Sequence, residues 1–391
     1  VEAPDKYTIV FRLNFPSEAF LPALANPYNW IYSADILNQD VHWYEKNVMG
    51  TGPFKFKEYV AGSHVAGVRN PNYFVKGKPY LDSIRGIFIK KQAPQVAAIR
   101  GGRAMVNFRA FPPKTVADLK RALGDKLRVQ ESTWNCALFV TPNHKVKPFD
   151  DPRVRRALNL AIDRWGGSKA LSRIAIVKTV GALVFPGHPL AASKAELQQI
   201  EGFWPDIEKS RREARRLLRE AGVPPGFKFK FHNRGVDQPY KLTGIWLIDQ
   251  WRKIGLQAQH WVQPTAPFYA TLRSRKQQFQ VSIDFNCQAV VNPLLDITKF
   301  LSEDVAGNNY AEYQDRDLDR IHAKIVRETN PRKLKALVRA FEKRVLEEQA
   351  HYIILIWWNR LVPHHARMKG WKISPSHYLN QDLANIWLAP E

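Results

Sequence analysis

The stretch PFDDPRVRRALNLAIDR, Pro148 to Arg164, decides how this chain is read. Asp151 stands where a helix N-cap belongs, and Pro152 fits the first helical turn. Val154, Ala157, Leu158 and Ala161 follow at i, i+3, i+4 and i+7, which makes one apolar stripe. Arg153, Arg155 and Arg156 lie off that stripe. The spacing predicts a capped helix docked on a core, with no chemistry of its own.

Working outward, GTGPF (50–54) is followed by RNPNYF (69–74). Further along come DIEKSRREARRLLREAG (206–222) and WRKIGLQAQ (251–259), an amphipathic helix and a helix-to-strand turn. This ordered set resembles the solute-binding proteins of bacterial ABC importers, family 5, the peptide/nickel/oligopeptide-binding type. Members carry a PFxDxRVRxAxxxAID-like run, then GTGPF and an RNPxYW-like run upstream of it; Phe74 replaces the usual Trp here. The resemblance runs over nearly the whole chain.

Composition bounds the same answer. The 391 residues suffice for two or three domains, and 45% hydrophobic with 24% charged residues describes a globular chain. No apolar run approaches the roughly 20 residues needed to span a bilayer. The net charge is +23, which attracts anionic partners such as nucleic acid, lipid headgroups or acidic solutes. The basic residues are dispersed, and the densest cluster, 209–220, reads as the solvated face of a helix whose stripe is Ala214, Leu217, Leu218 and Ala221. Cys136 and Cys287 show neither metal spacing nor a CxxC motif. Both fall in strand-like runs, so buried free thiols are expected ahead of a disulfide between them.

Strand patterns recur at TIVFRL (8–13), FKFKEY (54–59), GIFIKK (86–91), CALFVTPN (136–143), FKFKFH (227–232), LQAQHWV (256–262), FQVSIDFN (279–286) and YIILIWW (352–358). Helical patterns lie between them, including a long one over 331–348. Such alternation argues for an α/β architecture. The resemblance implies a two-lobed periplasmic binding protein of type II, closing about a hinge, with an additional small N-terminal subdomain. It also implies a shortened N-terminus, since members carry a long further stretch before a YTIVFRL-like strand and an export signal that is later removed. The expected division is 1–90 as small subdomain and part of lobe I, 91–139 as lobe I, 140–356 as lobe II, and 357–391 returning to lobe I. Crossings between lobes are expected near 134–143 and 355–362.

Candidate ligand contacts follow from the crossings. In TWNC, Trp134 can stack on a ligand and Asn135 can hydrogen-bond it, with core packing of Trp134 as the competing reading. In DFNCQAVVNP (284–293), Phe285, Asn286 and Gln288 are aromatic and polar candidates. In IWWNR (356–360), Trp357 and Trp358 point to opposite faces of a strand, so at most one meets a ligand, while Asn359 and Arg360 can fix a polar group. Arg109, in NFRAFPP, suits a bidentate carboxylate. Trp30, Tyr32 and Trp43 read as a core patch. Oligopeptide-binding members carry an Asp before a Pro like Pro293 that pairs with the peptide's ammonium; this chain has Ala289 there, and Asp284 lies five residues earlier. The departure implies a solute without a free amino terminus.

No GxSxG, GxxxxGK[ST] or HExxH run occurs, and GTGPFK is a structural turn rather than a phosphate loop. His364, His365 and His351 do not make a metal site, because an adjacent pair on a strand faces both ways. Neither catalysis, cofactor nor metal is expected. The resemblance implies peptide-type transport: a periplasmic protein that captures a peptide-sized solute between its lobes by hinge closure and hands it to a membrane permease. An anionic membrane surface is a further partner that suits the charge. The alternative is a basic nucleic-acid-binding protein, drawn from the charge and 12 Trp. No helix-turn-helix or RNP-like run supports it, so no nucleic acid is expected.

Overall fold

A computed structural model of the chain describes residues 1–17, 19–26, 29–276, 279–288, 292–376 and 382–390. The strands are β1 (Glu2–Asp5), β2 (Thr8–Val10), β3 (Phe54–Val60), β4 (His64–Arg69), β5 (Ser83–Ile87), β6 (Leu127–Pro142), β7 (Val177–Thr179), β8 (Lys228–Arg234), β9 (Gln257–Gln263), β10 (Val281–Cys287) and β11 (Ile353–His365). Helices connect most of them, as the alternating pattern required. The GIFIKK strand is shifted toward the N-terminus, and only the first half of TIVFRL pairs.

The chain divides into two compact units. The first holds Val1–Asn26, Asn135–Ala170 and Val177–Trp358; the second holds Pro27–Trp134, Leu171–Ile176 and Asn359–Glu391. Residues 1–26 thus group with the central part of the chain. The long strands β6 and β11 cross the division between Trp134 and Asn135 and between Trp358 and Asn359.

The first unit is built on a six-stranded mixed sheet in the order β7-β11-β6-β10-β8-β9. β10 runs antiparallel to β6 and parallel to β8, which is parallel to β9. β6 and β11 are interior to the sheet, and their portions in this unit, 135–142 and 353–358, are buried throughout and mostly apolar, as strands covered on both faces are. The helix Pro152–Leu160 covers part of this unit. Asp151 caps it, accepting from the Arg153 amide, and its stripe is buried. Arg155 is buried too, contrary to its off-stripe position, with its guanidinium donating to the carbonyls of Phe149, Asp150 and Gln349. The main core joins Ala137, Phe139, Phe185, Phe203, Phe300, Phe341, Tyr352 and Trp357.

The second unit has a three-stranded antiparallel sheet β3-β4-β5 and two smaller cores. One core packs Ile99, Phe111, Val116, Leu119 and Leu127; the other packs Val362, Met368, Trp371 and Ile386. The end of β11 is tied in by Phe111 N–H to the Leu361 carbonyl at 2.9 Å and His365 N–H to Met105 O at 2.7 Å. The expected aromatic core patch does not form. Trp30 and Tyr32 are 68% and 47% exposed; Tyr44 packs on Trp43 and on Tyr32, but no layer covers them.

The cysteine expectation is also corrected. Cys136 and Cys287 form a disulfide. They stand directly opposite each other in the antiparallel register of β6 and β10, where side chains of one face meet. The strand-like sequence that had argued for isolated thiols is what brings them together. The bond closes a sequence separation of 151 residues. Thiol titration of the denatured, unreduced protein is expected to find no free thiol. The Cys136→Ala/Cys287→Ala variant should lose about 2–4 kcal/mol in urea denaturation.

Candidate functional site

Strands β8, β9 and β10 run the same way, so their carboxyl ends share one edge of the first unit's sheet. In α/β sheets that edge is where ligands bind. β8 ends at Arg234, β9 at Gln263 and β10 at Cys287. Separated by two residues from the end of β8 is the short helical segment Asp237–Lys241 carrying Tyr240, whose backbone carbonyl accepts from buried Asn233 Nδ2 at 3.2 Å. The Tyr240 ring meets Phe285 and Trp358 edge-on, each at 6.0 Å, and Phe285 stacks on Trp358 at 5.7 Å with 27° between planes. Trp358 and Tyr240 are buried and Phe285 half-buried. Three aromatic rings from two strands and a short helical segment therefore form one cluster.

Other sequence candidates in this unit are engaged by the fold. Trp357 faces the opposite way from Trp358, donates Nε1–H to the Ala182 carbonyl at 3.1 Å and packs on Phe185. Gln288 is buried; its Oε1 accepts from Phe185 N–H at 2.8 Å and its Nε2 donates to the Leu183 carbonyl. Asn135 Nδ2 donates to the Gln288 carbonyl, and the Gln288 amide donates back to Asn135 O at 2.8 Å. Asn286 Nδ2 reaches the Asp296 carbonyl at 3.3 Å and stays half-buried. Gln288 and Trp357 thus hold the 182–185 loop, a task that their place near the crossings did not reveal. Ala289 lies outside the described residues.

Asp284 is 2% exposed, accepts from Lys299 Nζ at 3.0 Å and from Tyr269 Oη at 3.4 Å, and so presents no open carboxylate.

In the second unit, two guanidiniums approach the buried Trp134 ring, Arg109 at 5.6 Å and Arg360 at 5.1 Å from its centroid. Such cation–ring contacts favour a flat, stacked arrangement. Arg109 is exposed. Arg360 is fully buried, and its fork is taken up by the carbonyls of Phe108, Arg109, Ser374 and Ser376. Burial lowers its pKa to about 10, so it remains charged at neutral pH. Asn359 Nδ2 donates to Glu131 at 3.1 Å. Arg360 is a structural cation behind Trp134, which leaves Arg109 as the accessible one.

Sequence reasoning missed Tyr240, Tyr269 and Arg234, because none sits at a crossing. The available signal was an arginine ending the apolar strand FKFKFHNR, with a tyrosine six residues on. It also missed Glu342. This side chain is 1% exposed, accepts from Leu183 and Val184 N–H at 3.0 and 3.2 Å, and pairs with Arg339 at 2.7 Å. It holds the same loop as Gln288 from another side. Among the described residues, no group of three or more His, Cys, Asp or Glu side chains gathers as a metal site.

Comparison with known proteins fits this architecture. Residues 1–308 match the bacterial extracellular solute-binding proteins, family 5 middle region, and the chain belongs to that family, whose members are transport components rather than enzymes. It is 26% identical over 400 residues to haem-binding protein A of Haemophilus influenzae, covering 97% of this chain and 68% of that one. It is 25% identical over 336 residues to the periplasmic oligopeptide-binding protein OppA of Salmonella typhimurium, covering 83% of this chain and 58% of that one. The chain thus spans about three fifths to two thirds of the length of these relatives. The periplasmic binding protein DppA of Helicobacter pylori, solved with a bound peptide, superposes with a TM-score of 0.84 at 22% identity, over 99% of this chain and 73% of that one. The fold is that of a periplasmic binding protein.

Burial raises the Glu342 carboxyl to about 7. A folded pKa above the unfolded value of 4.5 contributes stability that is complete below about 4.5 and is lost as pH rises through about 7. Glu342→Gln keeps an acceptor for both amides and removes the titration. Relative to the unsubstituted protein, its unfolding free energy from urea denaturation should therefore improve from about pH 5 to about pH 8, by an amount on the order of 2 kcal/mol.

Proposed function

We propose that the chain is the solute-capturing component of an ABC importer working outside the cytoplasm, taking a peptide-sized solute and presenting it to a membrane permease. The observation that carries this reading is the family match over residues 1–308. Solute capture between lobes that close on it is the mode in which we read this; ligand-driven closure is a known device of periplasmic binding proteins. A solute moves such an equilibrium only as far as it binds the closed form more tightly.

The residues proposed to meet solute are Phe285, Asn286 and Trp358 in the first unit, joined by Tyr240, and Arg109 and Trp134 in the second. Asn135, Gln288, Trp357, Asn359 and Arg360 are proposed to support them, because their side chains are already bonded or packed within their own units. The solute is proposed to lack a free amino terminus. Asp284, the nearby acid on β10, is neutralised by Lys299 and offers nothing to an ammonium. The net charge of +23 also suits work beside an anionic membrane surface.

The test is a thermal-unfolding and small-angle scattering series with a mixture of N-acetylated tripeptides and the same mixture with free amino ends. The acetylated set, near 100 times its Kd, should raise the melting temperature by about 3–5 °C and compact the particle. No shift and no compaction with either set would contradict peptide-type capture. A shift with the free-amino set alone would contradict the blocked-terminus reading.

A further inference from the structure

Most arginines of the first unit have an evident partner. On the surface, Arg153, Arg156, Arg216, Arg316 and Arg320 pair with carboxylates. In the interior, Arg155 and Arg164 donate to backbone carbonyls, and Arg164 also to Asn159 Oδ1. Arg234 does neither. It ends β8 at the carboxyl edge of the sheet and is half-buried. Its Nε–H donates to Thr265 Oγ1 at 3.0 Å and its Nη1 donates to Tyr240 Oη at 3.2 Å. Its guanidinium lies over two rings, Tyr240 at 5.0 Å and Tyr269 at 5.4 Å. Among the described residues no carboxylate pairs with it.

A guanidinium has five N–H donors in a fixed fork. Here two are used, and both are used to hold the group still. Three remain, on a side chain that two tyrosine faces and a threonine have already oriented. The side chain is half-buried, so the remaining donors can reach water or a ligand acceptor, and a carboxylate is the acceptor that fits an oriented fork best. A second cation raises the local potential, since Arg273 lies 5.5 Å from the centroid of the same Tyr269 ring. Asp284, the one carboxylate bonded to this tyrosine among the described residues, is held by Lys299. On its other side Tyr240 leads into Phe285 and Trp358. The result is a fixed cation at one end of an aromatic cluster.

We propose that Arg234 is the specificity-determining receptor for a carboxylate of the solute, and that the solute class is a carboxylate-bearing molecule with an apolar body placed against Phe285. A planar carboxylate matches the fork with two parallel N–H···O bonds, which a carboxamide cannot reproduce. This rests on the reading of the chain as a solute-capturing protein, and it adds which end of a peptide-like solute is recognised.

The experiment compares N-acetylated tripeptides ending in a free carboxylate with the same tripeptides ending in a carboxamide, by tryptophan-fluorescence titration, on the full chain and on Arg234→Gln and Arg234→Lys. The unsubstituted protein should prefer the carboxylate set. Arg234→Gln should weaken that set by about 10- to 100-fold and leave the carboxamide set within about threefold. Arg234→Lys, which keeps the charge without the fork, should fall between them. Melting without peptide establishes that each variant is folded, and the comparison on the unsubstituted protein stands even where a variant is not. Equal binding of both sets by the unsubstituted protein, or a folded Arg234→Gln that binds the carboxylate set undiminished, overturns the role of Arg234 and leaves solute capture standing. Binding of neither set overturns the capture reading, and this inference with it.

Discussion

Two strands carry this chain across the division between its compact units, and they do so in mid-strand. β6 crosses between Trp134 and Asn135, β11 between Trp358 and Asn359. A buried strand must keep its backbone groups paired along its whole length. The pairing therefore fixes residues on both sides of each crossing. Asn135 O is held by the Gln288 amide in the first unit; Asn359 N–H is held by Ile176 O and Leu361 O by Phe111 N–H in the second. Both strands lie inside the sheet order rather than at its edges. Alternation then sends Trp357 into the core and Trp358 to the aromatic cluster.

The same constraint explains the crowd of polar supports around 182–185. Trp357 Nε1, Gln288 and Glu342 all bond this loop, from β11, from the end of β10 and from the helix Pro331–Lys343. An irregular buried segment needs such partners, because no neighbouring strand supplies them. Charge is handled in parallel fashion. Arg155, Arg164 and Arg360 are buried without carboxylates and are satisfied by carbonyl oxygens, whose dipoles replace hydration. Against that background Arg234 stands out as an oriented guanidinium with donors to spare.

Much of the scaffold was legible in the sequence because it depends on local rules. Asp151 caps as its side chain dictates, and the stripe Val154, Ala157, Leu158 and Ala161 is buried as its period requires. Five of the six strands of the large sheet overlap runs marked by alternation or apolarity, but β6 begins well before its run, β11 continues past its own, and β7 was not marked. What stayed hidden depends on strand order. Nothing local says that β10 lies between β6 and β8, so neither the Cys136–Cys287 bond nor the meeting of Tyr240, Phe285 and Trp358 follows from spacing. The crossings pointed to Trp358 and Phe285 but equally to Gln288 and Trp357, whose positions near the boundary serve the fold. Burial of Arg155 and Arg360 was illegible for a related reason: the acceptors are backbone carbonyls, which carry no residue signature.

The central claim is that solute is read at the carboxyl edge of the first unit's sheet by an aromatic cluster with an arginine at its end. Hydrogen–deuterium exchange of the intact chain, with and without N-acetylated tripeptides bearing a free carboxylate, tests it most directly. Binding should slow exchange in residues 233–241, 284–288 and 358–360 together. Slowed exchange confined to other parts of the chain, with these three segments unchanged, would contradict the account.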